Sequence, residues 1–512
     1  MLGGMILGVA AALYVLLHGR ILGISGIISG NAALTKAGTS TLTLSSANTY
    51  TGTTTISAGT LTVNGSLSDS TSVAVASGAT YVLGASDTIT ALTGAGAVNL
   101  NGNTLTLGNA TGIYSGVMSG AGGLTLTAGT LTLGGANTYT GTTNINVGTL
   151  KLTGSLAPST SVVMIGTSVW DLQAAQTIAS LVMASGNSIT RSAGASSLIV
   201  SGTSTLANSI TTSGAQTYTG AVILAANTAL TGTAINFIST VDSNAINSQS
   251  LTLTNSGTVT FSGVVGGTTN LASITTDAGG TVSIGGNVTT TGAQTYNDAV
   301  TLAAATTFSS SSFTTGSTLA ASTYALTITT DAIALGGNVT GSGALVIQPK
   351  TATTTVGLGT SAAGSLSLDD TELGYLQDGF SSITIGSTTG TGAIAVDYGT
   401  SYTFTDPLTI RSASSGGGAI TVSDALNTGA NNLTITTGGA VSLAAVTSGT
   451  LAVTGTGITL NGDVTTSGTQ TYTGAMTLTG TGATRTLTGS TVTFSSTLAG
   501  GSNSLVVTGN AS

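Results

Sequence analysis

The segment ANTYTGTTTISAGTLTVNGSL, Ala47 to Leu67, returns as ANTYTGTTNINVGTLKLTGSL, Ala136 to Leu156, with 15 of 21 positions identical across an offset of 89 residues. A chain that repeats itself at this length is built by stacking units that cannot bury a face alone. Inside the repeat, TLTV (Thr60 to Val63) alternates strictly, as do TLTL at Thr41 to Leu44, at Thr104 to Leu107 and at Thr130 to Leu133. Period two puts Leu and Val on one side of a strand and Thr on the other. Gly-rich breaks such as SAGT at Ser57 and TAGT at Thr127 supply the positive φ that tight turns need. Pro is nearly absent and Asn-Gly pairs are few, at Asn64, Asn101 and Asn461, so the alternation points to an all-β, right-handed parallel β-helix (β-solenoid) rather than to antiparallel sandwiches. At roughly 20 to 25 residues per coil and about 4.8 Å between coils, such an array is on the order of 100 Å long.

Composition narrows the functional classes. Only 4% of the 512 residues are charged, against roughly 25% in an ordinary soluble domain. The polar surface is therefore hydroxyl and amide. A net charge of −8 with seven basic residues leaves no cluster for nucleic acid. Without cysteine there is no disulfide, thiolate metal site or thiol nucleophile. The one histidine, His18, lies in an apolar segment, so a Ser–His–Asp triad has no credible imidazole. No cofactor is expected.

A second unit type starts after residue 200. TSGAQTYTGAVIL (Thr212 to Leu224) recurs as TTGAQTYNDAVTL (Thr290 to Leu302) and as TSGTQTYTGAMTL (Thr466 to Leu478). Tyr50, Tyr139, Tyr218, Tyr296 and Tyr472 hold the same place in their units and are expected to form a spaced structural ladder between coils. The organisation expected is a hydrophobic N-terminal helix over 1–28, a β-solenoid with ANTYTG-type repeats over 29–200, and one with GAQTY-type repeats over 201–512, interrupted near 366–380. That interruption, LDDTELGYLQDGF, holds the one acidic cluster: Asp369, Asp370, Glu372 and Asp378. Close carboxylates can ligate Ca²⁺ or serve as the acid and base of a glycosidase. The plainer reading is a turn or short helix that breaks the array.

Ala33 to Leu61 resembles the autotransporter-associated β-strand repeat of bacterial surface proteins, through its Asn-Thr-Tyr-Thr-Gly core. The TTGAQTYNDAVTL units resemble those of filamentous-haemagglutinin-type adhesins. These resemblances imply a β-helical passenger at the bacterial cell surface, exported and outer-membrane associated, with host-surface or matrix carbohydrate or protein and the export machinery as partners, and with no catalytic residues. Such autotransporters end in a membrane β-barrel, whereas this chain stops at SLVVTGNAS, so a fragment, an incomplete gene product or a separately exported passenger is expected. The apolar run MLGGMILGVAAALYVLL has no basic n-region. Gly3 to Ile27 resembles the first membrane helix of the YeeE/YedE family of sulfur-compound transporters. Residues 1–28 therefore read as a membrane anchor, an atypical signal or a fusion remnant. The function expected is a non-enzymatic surface scaffold or adhesin. The alternatives are a β-helical carbohydrate-active enzyme and a membrane protein related to transporters through its N-terminus.

Overall fold

The computed structural model describes residues 13–16, 22–24, 28–245, 249–398, 402–480 and 482–511. The fold is a parallel β-solenoid. One coil shows the rule: Ala91–Gly94, Ala97–Asn99 and Leu105–Leu107 run along three sides, and the next strand, Ile113–Tyr114, arrives above Gly94. Register in the first part of the chain steps by 19 or 20 residues, as in Leu34↔Thr54↔Val73↔Leu92, at the short end of the expected coil length.

The alternation is realised as read. Leu42, Leu61, Tyr81, Val98 and Met118 lie in register on successive coils and are fully buried. Thr43 and Thr62, between core residues, face outward. Each fully buried aliphatic contributes about 1.5–3 kcal/mol, so the interior column holds the coils together while backbone bonds fix their register.

The chain divides into two compact units, 1–244 with 248–256, and 245–247 with 257–512. The change of repeat type at residue 200 is not a break in the stack. Leu198–Val200 pairs with Gln216–Tyr218, and Ser180–Met183 with Ser204–Thr211, straight across it. Within the second unit a 20-stranded sheet runs from Val288–Thr289 to Ser504–Ala511. The single helix among the described residues, Asp370–Tyr375, sits where the interruption was expected.

The N-terminal expectation needs correction. Where residues 1–28 are described they form strands, not a helix. Leu13–Leu16 pairs in parallel with Leu34–Ala37, and Leu22–Ile24 with Leu42–Leu44. An uncharged apolar run has no polar face to hold it as an amphipathic helix. The open edge of the first coil offers it a row of backbone partners instead. His18 and most of the transporter-like stretch lie outside the described residues. No helix among the described residues is long and apolar enough to cross a membrane.

Candidate binding surface

The repeated motif builds an internal clamp. In the first copy Asn48 accepts the Ile28 N–H at 3.0 Å and donates through Nδ2 to the carbonyls of Ser46 (2.7 Å) and Ser66 (3.2 Å). In the second, Asn137 accepts the Met118 N–H at 2.9 Å and donates to Gly135 (2.8 Å) and Ser155 (3.0 Å). Each buried amide thus ties three successive coils. The leucine that closes each copy is held the same way from the coil above, Leu67 by Asp87 and Leu156 by Gln176. Asp87 has no N–H to give. Burial pushes its carboxyl up to about 6, and the Tyr81 hydroxyl donates to it at 3.2 Å.

Glycine in the motif answers to the same crowding. A Cβ on Gly52 or Gly141 would run into the carbonyl oxygen of Ala32 or Gly122 on the coil below. Asn48, Asn137, Asp87 and Gln176 were not singled out from the sequence. Their one signal in the sequence is the Asn that stands before Thr-Tyr in both copies.

All five ladder tyrosines are completely buried, which removes them as surface platforms for sugars. Tyr50 and Tyr139 bond the hydroxyl of the threonine four residues on, Thr54 and Thr143. Burial raises the Tyr50 hydroxyl to about 12. In the other family the tyrosine hydroxyl donates to the glutamine two residues earlier: Tyr218 to Gln216 at 2.8 Å, Tyr472 to Gln470 at 2.9 Å and Tyr296 to Gln294 at 3.3 Å. Those glutamines donate in turn to carbonyls of neighbouring coils, Gln216 to Thr231 and Gln470 to Thr488. Within the first unit Tyr50, Tyr139 and Tyr218 lie several coils apart. Their aromatic neighbours, where present, are phenylalanines: Tyr218 stacks on Phe237 and Tyr472 on Phe494 at 5.5 and 5.6 Å. Trp170 is buried too.

The acidic cluster is occupied with local structure. Asp369 caps the helix by accepting the Glu372 N–H at 2.8 Å, and Glu372 returns a bond to the Asp369 N–H at 3.0 Å. This reciprocal arrangement satisfies two otherwise orphan donors. Glu372 also accepts the Leu335 N–H, and Asp370 accepts that of Thr360. Asp378 is exposed and stands beside the buried Asp406, whose carboxyl burial pushes above its usual range. Among the described residues no three His, Cys, Asp or Glu side chains are placed to hold a metal ion. A shallow depression at Ala110–Ile113, Gly129, Thr130 and Thr132 carries no ionisable side chain.

The outward faces remain as the surface with chemistry to offer. One such face lies in the second unit, on successive coils, where Thr409 and Arg411 stand in register with Thr434 and Thr436. Thr434 and Thr436 stand in register over Ala452 and Thr454. These stand over Thr471 and Thr473, and Thr471 over Thr493. A third row runs alongside, where Thr450 donates to Asn432 at 2.7 Å and Thr469 pairs with Thr491. All of these side chains are half-buried or exposed, while the residues between them, such as Leu451, Val453 and Tyr472, are buried.

Residues 34–63 and 128–152 match the passenger-associated-transport-repeat family, and both stretches contain one copy of the Asn-Thr-Tyr-Thr-Gly clamp. These two stretches of the β-solenoid are similar to autotransporter passenger repeats. The match does not reach the GAQTY units, and no comparison supports the filamentous-haemagglutinin likeness expected for them. No curated protein and no solved structure matches the chain.

Proposed function

We propose that this chain is a non-enzymatic scaffold, displayed at or secreted from a bacterial surface, that works as an adhesin-type passenger. The observation that carries the reading is that both matched passenger repeats spend their distinctive residues inside the coil. Asn48, Tyr50, Asn137 and Tyr139 are buried and hydrogen-bonded to neighbouring strands. What the coils offer outside is repeated hydroxyl. Many weak contacts of one kind gain strength through effective concentration rather than through one deep site. The likeness of two stretches to passenger repeats supports surface or extracellular display. Candidate partners remain the matrix or host-surface glycans and proteins expected from the sequence.

Two measurements test the proposal. Protease shaving of intact cells of the source bacterium should release peptides of this chain, and their retention inside the cell overturns display. The purified chain should also show no turnover on a panel of polysaccharides. Turnover abolished by Asp370→Asn would instead establish the carbohydrate-active enzyme.

A further inference from the structure

Asp406 belongs to the coil above the turn that follows the helix, since Leu408 stands in register with Ile383. Its side chain reaches down by one coil, as those of Asp87 and Gln176 do. Oδ1 accepts the Gly379 N–H at 3.1 Å, and the Phe380 N–H serves the same carboxyl. From below, the turn is held by the Gln377 N–H on the Val339 carbonyl at 3.1 Å. The second oxygen sets Asp406 apart. At Asp87 that oxygen receives the Tyr81 hydroxyl, and at Asp171 the Ser192 hydroxyl. Asp406 is only 4% exposed, yet its Oδ2 is buried and accepts no hydrogen bond. The side chain that meets this carboxyl is a second carboxyl, that of the exposed Asp378.

A buried acceptor without a donor is costly, and two carboxyls in contact oppose each other's charge. One positive charge between them relieves both penalties. The chain has none to send. Between Lys350 and Arg411 it carries six acidic residues and no Lys, Arg or His. The two flanking cations are engaged elsewhere, Lys350 on the Thr290 carbonyl and Arg411 on that of Gly386. The charge must therefore come from solvent, and exposed Asp378 leaves it a way in. We infer that Asp378 and Asp406 hold a hard divalent cation, calcium or magnesium, which fastens the turn after the helix to the coil above. Both ions take carboxylate oxygens and complete their shells with water. Asp369 and Glu372 take no part, because each is spent on the other's backbone N–H. With two protein carboxylates, the dissociation constant falls at about 10⁻⁴–10⁻³ M, the range of weak calcium modules. The site goes beyond display at a surface and does not depend on it.

The test is calorimetric titration of the full chain, stripped of metal by a chelator, with calcium chloride and separately with magnesium chloride. Asp406→Asn, Asp378→Asn and Asp424→Asn are titrated alongside. Asp406→Asn keeps an acceptor for the Gly379 N–H and turns an amide donor towards Asp378, so it should fold; circular dichroism and metal-free melts check this. The wild-type chain should bind one cation, and the salt that binds more tightly identifies the ion. Asp406→Asn and Asp378→Asn should each weaken binding by about tenfold or more, because the number of charged ligands sets affinity at such sites. The melting temperature of the wild-type chain should rise with the bound salt, and that of Asp406→Asn should not. Asp424→Asn removes the same charge from a second acid pair, Asp397 with Asp424, and should leave binding unchanged. Absence of binding with both salts overturns the inference and leaves the pair to be neutralised by a proton. Undiminished binding by Asp406→Asn also overturns it. So does an equal loss in Asp424→Asn, which would show a diffuse acidic field instead of a site.

Discussion

Asp87 occupies a place that an amide holds elsewhere in the stack, and this makes its contribution to the fold depend on pH. Its carboxyl titrates near 6 in the fold and near 3.9 in an unfolded chain. The folded state thus holds the proton more tightly. Its contribution to stability is complete below about pH 4 and is lost as pH rises through about 6. Asp87→Asn should raise the melting temperature at pH 7 and flatten the difference between pH 4 and pH 7, as followed by thermal melts at the two values. The converse loss is expected at Asn137. Asn137→Ala strands the Met118 N–H, while the carbonyls of Gly135 and Ser155 keep their backbone donors, and should cost about 1–3 kcal/mol, read from denaturant melts. The acidic helix cap gives a third outcome. Because Asp369 and Glu372 bond each other's backbone, Asp369→Asn together with Asp370→Asn should leave the response of the melting temperature to added calcium unchanged.

A strand in this fold is defined by its neighbours one coil away as much as by its own residues. Leu61 lies between Leu42 and Tyr81 in the buried column, so Leu61→Ala should cost about 2–5 kcal/mol through lost transfer energy and the cavity left behind. The alternation made such strands legible from TLTV alone, and it assigned Thr to the outside correctly. The clamps were not legible. Whether Asn48 or Gln216 is buried depends on which carbonyl lies on the next coil, and that residue is some twenty positions distant. The same limit applied at the N-terminus. The apolar run that ends in Leu13–Leu16 is helix-like by composition, yet there it meets a strand edge at one coil's distance and pairs with it. The acidic stretch was readable as a short helix because its capping pair is local, at three residues' spacing.

At the scale of the whole chain, cohesion comes from backbone ladders, buried aliphatics and internal amides, with few charges available to help. Screening should therefore matter little. The melting temperature should shift by no more than about two degrees between low and high sodium chloride, since salt acts on exposed charge pairs. A larger rise or fall would assign ion pairs a weight that seven basic residues do not suggest. The repeat that decides the fold has one more property. Thr41–Leu44 belongs to a six-stranded sheet with Thr60–Val63. Its copy, Thr130–Leu133, stands instead in the column that carries Thr54–Ile56, Ser72–Val75 and Ala91–Gly94. The two copies are turned from each other by one side of the coil, and both form the same clamp. Sides that accept the same sequence are interchangeable, so a duplicated segment need not equal a whole number of turns to be accommodated. Unequal recombination within such a gene can lengthen or shorten the protein in steps of a third of a turn and still leave a chain that folds.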